Sequence, residues 1–485
     1  MGFVVFAVPF VGLWAVFASM QLGAADLVMR IMQGQVAEVA HPFNCKFAMV
    51  VGKPLPAHAP LRHREKNPVS SPCNADVIVL GAGIVGAATA LQLQRRGRAV
   101  VLIDRRDAGE ETSYGNTGII QREGVVPYGF PRDVRRVLQY ALNRRPEANL
   151  HWSALPAIAP WLVRYWAASQ EARLAAAARA AEPLIARSVT EHEELMQDAG
   201  IAGMLRRTGY LRLYRSAAEL AAQIAKDEDN RRAYGVNFAA IDRHRLSDLE
   251  PHLRGGFAGG VLLPDPVSVA DPSAVCKAYA RRLVERGGRF LTGDARTLTA
   301  QAGGWQVSTT AARIWAPAAV VALGPWSDDV FRKLGYRFPL GVKRGYHVHF
   351  TPLANATLNR PVLDAENGYA LTAMRKGIRL TTGAEFARRD APPTPVQLDR
   401  VEPFAREIFP LGARVEAEPW LGSRPCLPDM LPIVGAAPRH PGLWFNFAHH
   451  HLGFTLGPVT GRLLADLLTG EAPFTDPAAY AASRF

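Results

Sequence analysis

Cysteine is scarce. The chain of 485 residues has four, Cys45, Cys73, Cys276 and Cys426, with no CxxC pair and no metal-ligand spacing. Free thiols in a reducing compartment are the plain reading. Long basic runs are absent too, although the formal net charge is +13. The arginines are scattered and no aromatic-interleaved basic patch occurs, which argues against a nucleic-acid partner and leaves a basic surface suited to anionic substrates or anionic lipid. There is no internal repeat, and no low-complexity tract beyond the Ala-rich stretch at 175–181. At 48% hydrophobic and 20% charged the composition is ordinary for globular proteins. The length is too great for one simple core and fits two domains.

Charge is missing altogether from residues 2–25, which are long enough to span a membrane. No Lys or Arg precedes them, as an oriented anchor or secretory leader would prefer. The stretch from there to about Cys73 mixes Pro, His and Lys without a period and reads as a linker. Residues 1–72 therefore stand as an extension, with three readings open: a translation artefact or disordered tail, a membrane anchor, or a signal-like segment.

The most informative segment is DVIVLGAGIVGAATALQLQRRGRAVVLID at 76–104. It holds an apolar strand, a Gly-x-Gly-x-x-Gly turn, a helix and a second strand ending in an acid, which is a whole βαβ dinucleotide-binding unit. Gly81 permits the tight turn, Gly83 lets backbone approach a pyrophosphate, and Gly86 allows close packing of helix on strand. Ile84 and Val85 open the helix, whose free N–H groups would meet the phosphates. Asp104, 23 positions after Gly81, is placed to reach a ribose.

The Gly-, Ser- and Thr-rich stretch 105–121 reads as an ordered loop against which a large cofactor could lie. Residues 131–200 are strongly helical, and Trp152, Trp161, Tyr165 and Trp166 at near-helical spacing read as core packing. TGYLRLYRS (208–216) reads as a strand, with a helix from about Ala217 to Tyr234. Asp271 and Pro272 open a helix that paired glycines stop. The segments from 289 to 326 read as strands returning to a parallel sheet, whereas 343–386 alternates with period two and predicts an antiparallel sheet. Residues 443–470 read as strand, Gly-containing turn and long helix. The fold class is thus α/β: a Rossmann-like nucleotide domain from 74–150, 255–335 and 425–475, interleaved with an α+β substrate domain from 151–254 and 336–424 that carries an antiparallel sheet.

Six motifs in order, GAGIVGAATALQLQRRGRAVVLID, GEETSYGNTGII, AAVVALGPWSDDV, PLGVKRGYHVHF, WLGSRPCLPDMLPIVG and HHHLGFTLGPVTGRLLADLL, resemble the FAD-dependent D-amino-acid dehydrogenase family, within the wider glycine, sarcosine and D-amino-acid oxidase group. The resemblance covers about residues 75–470. It implies a non-covalent FAD, with Arg105 beside the acid Asp104 at its nucleotide end. Ser113, Gly115, Asn116, Gly118 and Ile119 would line the flavin ring and phosphates. Ala295 would sit by the adenine, Gly324 and Trp326 by the nucleotide half, and Leu452, Gly453, Phe454 and Thr455 over the flavin pyrimidine ring. Relatives commonly read Gly-His-Gly-His before Leu-Gly-Phe, where this chain has Ala448, His449, His450 and His451.

The resemblance implies oxidation of a D-amino acid, or of a D-proline or hydroxyproline-like amino acid, by hydride transfer to flavin N5. The electrons would pass to a quinone or a carrier protein, or to oxygen in an oxidase of the glycine or sarcosine type; a redox sensor without turnover is the reading from another class. A cytoplasmic location is implied, with or without peripheral association at the inner membrane. No strong general base is needed for amine oxidation, so the lack of a clear catalytic dyad is tolerable. A substrate carboxylate calls for the planar fork of an arginine, and family members place the Arg of GSRP, Arg424, over the flavin. Tyr346 and Tyr369 are candidate hydroxyls at the site, or half-buried strand residues. His347 and His349 alternate on one strand without an acidic or Cys partner, so no metal is assigned. Glu385 and Asp364 read as members of structural ion pairs.

Overall fold

The computed structural model describes residues 73–485, so residues 1–72 and the three readings of them lie outside the described residues. The strand Val77–Leu80, wholly buried, runs into the glycine turn and the helix Ile84–Arg95, and Val100–Asp104 returns beside it. These are the centre of a six-stranded sheet in the spatial order Arg289–Thr292, Val100–Asp104, Val77–Leu80, Ala318–Val321, Leu443–Phe447, Ile433–Ala436. All neighbours are parallel except the last pair. Such a sheet is covered on both faces, and its strands are accordingly apolar rather than alternating. The C-terminal helix Gly453–Thr469 packs closely on Ile84–Arg95, where a Cβ at Gly461 would lie 2.9 Å from the Thr89 backbone.

The other large sheet has eleven strands and is mostly antiparallel. Its hub is the long strand Gly341–Pro352, which pairs with Gly377–Thr381, Ala384–Phe386, Leu411–Arg414 and Trp420–Cys426. Apolar side chains on one face, among them Tyr346, Val348 and Phe350, form a core with Leu398, Val401 and Ala405 of the helix Val396–Ile408. The predicted strand at 208–216 and the helix after it are present as Tyr210–Tyr214 and Ala217–Tyr234. Asp271 caps the helix Pro272–Glu285 by accepting from Ala274 N at 3.0 Å.

Three expectations are corrected. Of the segments between 289 and 326, only Arg289–Thr292 and Ala318–Val321 join the parallel sheet; Thr299–Gln301, Gly304–Ser308 and Arg313–Ala316 form an antiparallel run in a separate small sheet, which Cys73–Asn74 extends in parallel beside Arg313–Ala316. Tight turns between short strands favour hairpin pairing over a crossover. Secondly, Ala148–Leu150 and Gly259–Leu263, inside the ranges expected for the nucleotide domain, pair in the large sheet, as does Trp420–Cys426 up to its last residue. Thirdly, the aromatics of the helical region are not all core. Tyr165 is buried at 4%, but Trp152, in the short turn before the helix Leu155–Ala168, and Trp166, within it, are 47% and 44% exposed, because that helix turns only the Tyr165 side inward.

Candidate active site

The turn after Val77–Leu80 meets its neighbours through glycine. Gly81 has φ +103°, and a Cβ there would lie 2.4 Å from Ala322 O; a Cβ at Gly86 would lie 1.8 Å from Gly81 O. The helix starting at Ile84 has no side-chain cap of its own, and Val85 lies half-buried in its first turn. Ser113 comes from the following loop to accept from Ile84 N at 3.0 Å, and the remaining first-turn N–H groups have no intrahelical acceptor. That arrangement fits the pyrophosphate of a dinucleotide.

Asp104, at the end of the second strand, accepts from Ala82 N at 2.6 Å and Arg106 N at 3.2 Å. Arg105 lies 4.3 Å over the Trp326 ring and is paired with Glu111 at 2.6 Å. Ala295 opens the short turn beyond Arg289–Thr292, and Gly324 the one beyond Ala318–Val321. Asp104, Arg105, Ala295 and Trp326 thus gather at the C-terminal ends of the parallel strands, where such sheets bind nucleotides.

The loop 113–118 is tied to both sheets. Asn116 Oδ1 accepts from Gly118 N at 2.8 Å. Gly118, at φ +74°, approaches Val269 O so closely that a Cβ would lie 2.2 Å away. Ile119–Ile120 pairs with Val267–Ser268, and Thr455 Oγ1 accepts from Gln121 N at 3.1 Å and donates to Ile119 O at 3.4 Å. The expected flavin loop and the C-terminal turn are therefore brought together. From the large sheet, the buried Arg379 donates to Tyr114 O at 3.1 Å, to Asn116 O, and to His349 Nε2 at 3.0 Å. His349 then presents Nδ1–H to Glu416 at 2.8 Å, an acidic partner that the sequence pattern did not reveal.

Around the hub strand, register decides which side chains share the chamber. Lys343 pairs with Arg424, Gly345 with Gly422 and His347 with Trp420 on one face. Gly345 and Gly422 make room above the backbone for the Arg424 guanidinium and the Trp420 ring, which lie over them: a Cβ at Gly345 would lie 2.5 Å from Arg424 Nη2, and one at Gly422 2.0 Å from Trp420 Cη2. Trp420 also stacks on His347, ring centres 4.8 Å apart, and covers Gly115. Arg424 donates only to main-chain carbonyls, those of Gly383 at 2.8 Å, Thr382 at 3.2 Å and Arg344 at 3.3 Å. It has no carboxylate partner among the described residues.

The two tyrosines are corrected. Tyr346 is 1% exposed on the opposite face of the hub strand, where its hydroxyl donates to Glu385 at 3.1 Å and accepts from Thr394 N at 2.7 Å and Arg344 at 3.1 Å. Its hydroxyl is fully engaged and closed to a ligand. Tyr369 is equally buried, beside the ion pair of Arg215 and Asp364 at 2.8 Å. Glu385 pairs with Arg344 at 2.6 Å, so both acids do serve structural pairs. What sequence reasoning missed on the chamber face is Lys343, Tyr165 and Trp420. The alternation of Tyr346, Val348 and Phe350 with Lys343, Gly345 and His347 was the available signal.

At the C-terminal turn, Ala448 and His450 adopt left-handed backbone, φ +68° and +57°. Glycine is the residue such backbone favours, and here non-glycine residues carry the strain. Leu452 and Gly453 lead into the helix Gly453–Thr469, which also lacks a side-chain cap, and Phe454 O accepts from the buried His192 Nε2 at 2.7 Å. Burial holds His449 down to about 3, and burial with the nearby charges of Arg424 and Lys343 holds His451 down to about 3. Burial pushes His450 well below its ordinary range, and its Nε2 has no partner among the described residues.

A parallel nucleotide-binding sheet joined through its loops to a large antiparallel sheet is the architecture of a flavin-dependent oxidoreductase of the glycine and D-amino-acid oxidase type. Residues 76–467 match the FAD dependent oxidoreductase family, and the chain belongs to it; FAD is its cofactor. It is 30% identical to a D-amino acid dehydrogenase of Chromohalobacter salexigens, over 84% of this chain and 99% of that one. To a D-amino-acid oxidase of Bradyrhizobium diazoefficiens it is 28% identical, over 84% and 98%. The fold is similar to that of glycine oxidase from Geobacillus kaustophilus, with a TM-score of 0.64 and 21% identity over 85% of this chain and 99% of that one. The protein is thus an FAD-dependent oxidoreductase.

Proposed function

We propose that the protein oxidises a D-amino acid, or a D-proline or hydroxyproline-like amino acid, to an imino acid that water hydrolyses to the 2-oxo acid, and passes the electrons to a quinone or another carrier. The observation that carries this reading is Arg424: a half-buried guanidinium lying over Gly345 and held in place by three carbonyls, with no carboxylate neighbour among the described residues. A substrate carboxylate supplies the missing charge, and the fork fixes its orientation. FAD supplies the two-electron oxidation. Lys343 and Arg424 make the chamber positive, which disfavours the ammonium form of the substrate and favours the neutral amine that oxidation requires. His450 and His451 are held uncharged by burial, so they leave the positive charge of the chamber to Lys343 and Arg424. His347, Trp420 and Tyr114 wall the chamber with aromatic surface that limits water.

Two finer points belong to this reading. No helix of the described residues is long and apolar enough to cross a membrane. Association with a membrane surface is supported by the outward face of Leu155–Ala168, where Val163 and Trp166 are exposed near Arg132 and Arg164, and by the exposed Trp152 in the turn before that helix. An oxidase reading differs only in passing electrons to oxygen. The test is anaerobic addition of D- and L-amino acids to the purified yellow protein. Bleaching by D-amino acids is expected, with reoxidation by a quinone or dye rather than by oxygen. A flavin that no amino acid bleaches would end the proposal, and rapid peroxide formation would replace the dehydrogenase with the oxidase.

A further inference from the structure

Beyond the positive charge it adds to the chamber, Lys343 makes no contact that the oxidation of a simple amino acid calls for. It pairs in register with Arg424 and so shares its face of the sheet. Its Nζ donates to Tyr165 Oη at 2.8 Å and lies 4.0 Å over the Tyr165 ring, with Trp161 and Phe386 at 5.8 and 5.9 Å. The Tyr165 proton is already donated to Tyr128 O, so this hydroxyl offers Lys343 one lone pair and no negative charge. The nearby Cys426 thiol is pushed up by burial and stays neutral.

The buried Arg379 spends its donors on Tyr114 O, Asn116 O and His349 Nε2, and three further deep cations of the large sheet are compensated by acids: Arg344 by Glu385, Arg215 by Asp364 and Arg212 by Asp227, at 2.6, 2.8 and 3.0 Å. Lys343 and Arg424 are not, among the described residues, and they sit close enough that Arg424 contributes to holding the Lys343 ammonium below its ordinary range, after burial itself. Two unpaired cations enclosed in one chamber are costly unless an anion enters. The carboxylate of a monocarboxylic amino acid compensates one of them.

We infer that Lys343, in its cage of Tyr165, Trp161 and Phe386, is a subsite for a second anionic group, so that the preferred substrates carry a carboxylate at the end of the side chain. This rests on the proposed oxidation of D-amino acids, with Arg424 taking the α-carboxylate. The aromatic cage makes the subsite selective, because it excludes water and holds the ammonium at one point while leaving two of its three N–H donors for the ligand.

The test compares D-aspartate and D-glutamate with their isosteric amides, D-asparagine and D-glutamine, as anaerobic reductants of the holoprotein. In wild type the acids should exceed the amides in kcat/KM by about thirtyfold, the scale of one charge-assisted contact. Lys343→Met should collapse that ratio to near one, and Lys343→Arg should keep part of it, with bound FAD and thermal midpoint reporting that both variants fold. Acids no better than amides in wild type, or an unchanged ratio in a folded Lys343→Met, overturn the subsite while leaving the oxidation of D-amino acids standing. A flavin reduced by neither acids nor amides, nor by any other D-amino acid, overturns both.

Discussion

Gly345 and Arg424 touch across neighbouring strands so closely that a Cβ at position 345 would lie 2.5 Å from the Arg424 Nη2. The guanidinium lies flat on bare backbone, and its position over the glycine floor depends on that bareness. Gly345→Ala should push it off its carbonyl partners and lower kcat/KM for the best amino acid by about tenfold to a hundredfold, the kinetic equivalent of roughly 1–3 kcal/mol. FAD content should stay near wild type. Unaltered kinetics would mean that the guanidinium position does not matter to the substrate.

Arg424 itself gives the stronger test. Arg424→Met should leave FAD bound and remove a charge-assisted pair of order ~2–5 kcal/mol, a loss of roughly thirtyfold to several thousandfold in kcat/KM. Arg424→Lys should recover only part, because a point charge lacks the fork. Anaerobic flavin reduction by the amino acid and by the matching amine without a carboxylate is the comparison to make. If Arg424→Met discriminates acid from amine as wild type does, the carboxylate binds elsewhere.

Tyr346→Phe separates a structural hydroxyl from a catalytic one. Its hydroxyl joins Arg344, Glu385 and Thr394 N in a buried network, so the variant should lose about 1–3 kcal/mol of stability by leaving a buried donor and acceptor unmatched. KM should be unchanged. Urea unfolding and steady-state kinetics decide it: a large kinetic loss without loss of stability would return Tyr346 to the chamber.

His192 should contribute to acid sensitivity. Burial pushes it down from the ordinary 6.5 to about 4, so its contribution is fully present above pH 6.5 and is lost as the pH falls from there toward 4. Glu250, pushed up to about 7 by burial, works in the opposite sense, so the difference between variants is the useful quantity. Replacing His192 with Gln should flatten the fall of unfolding free energy between pH 6 and pH 4.5 by about 1.4 kcal/mol per pH unit. Parallel curves for the two proteins would show that His192 titrates normally.

Ala448→Gly should stabilise. The residue has φ +68°, and relief of the left-handed strain exceeds the added chain entropy of glycine by about 0.5–1 kcal/mol. A higher midpoint with unchanged FAD spectrum is expected; a lower one would mean that the methyl group packs better than the backbone is strained.

The dinucleotide turn was legible because its requirements are local. Gly81 and Gly86 are needed where backbone meets backbone, and Asp104 falls at the strand end by counting. Arg424 was legible through resemblance and stands where an acid could meet it. Tyr346 and Tyr369 misled because a tyrosine near a motif looks the same in sequence whether its hydroxyl faces a chamber or an ion pair. Trp152 and Trp166 misled because helical spacing shows that residues share a side, not that anything covers it.

From its sequence alone the chain determined the βαβ unit, the antiparallel character of 343–386 and the order of the flavin-family motifs, since each depends on residues within a few turns of one another. Only the tertiary structure decided that Lys343 and Arg424, 81 positions apart, stand side by side without an acid, while Arg344 finds Glu385 on the opposite face. Strand register and burial join segments distant in the chain, and a charge becomes costly or useful only when the neighbours that could neutralise it are in place.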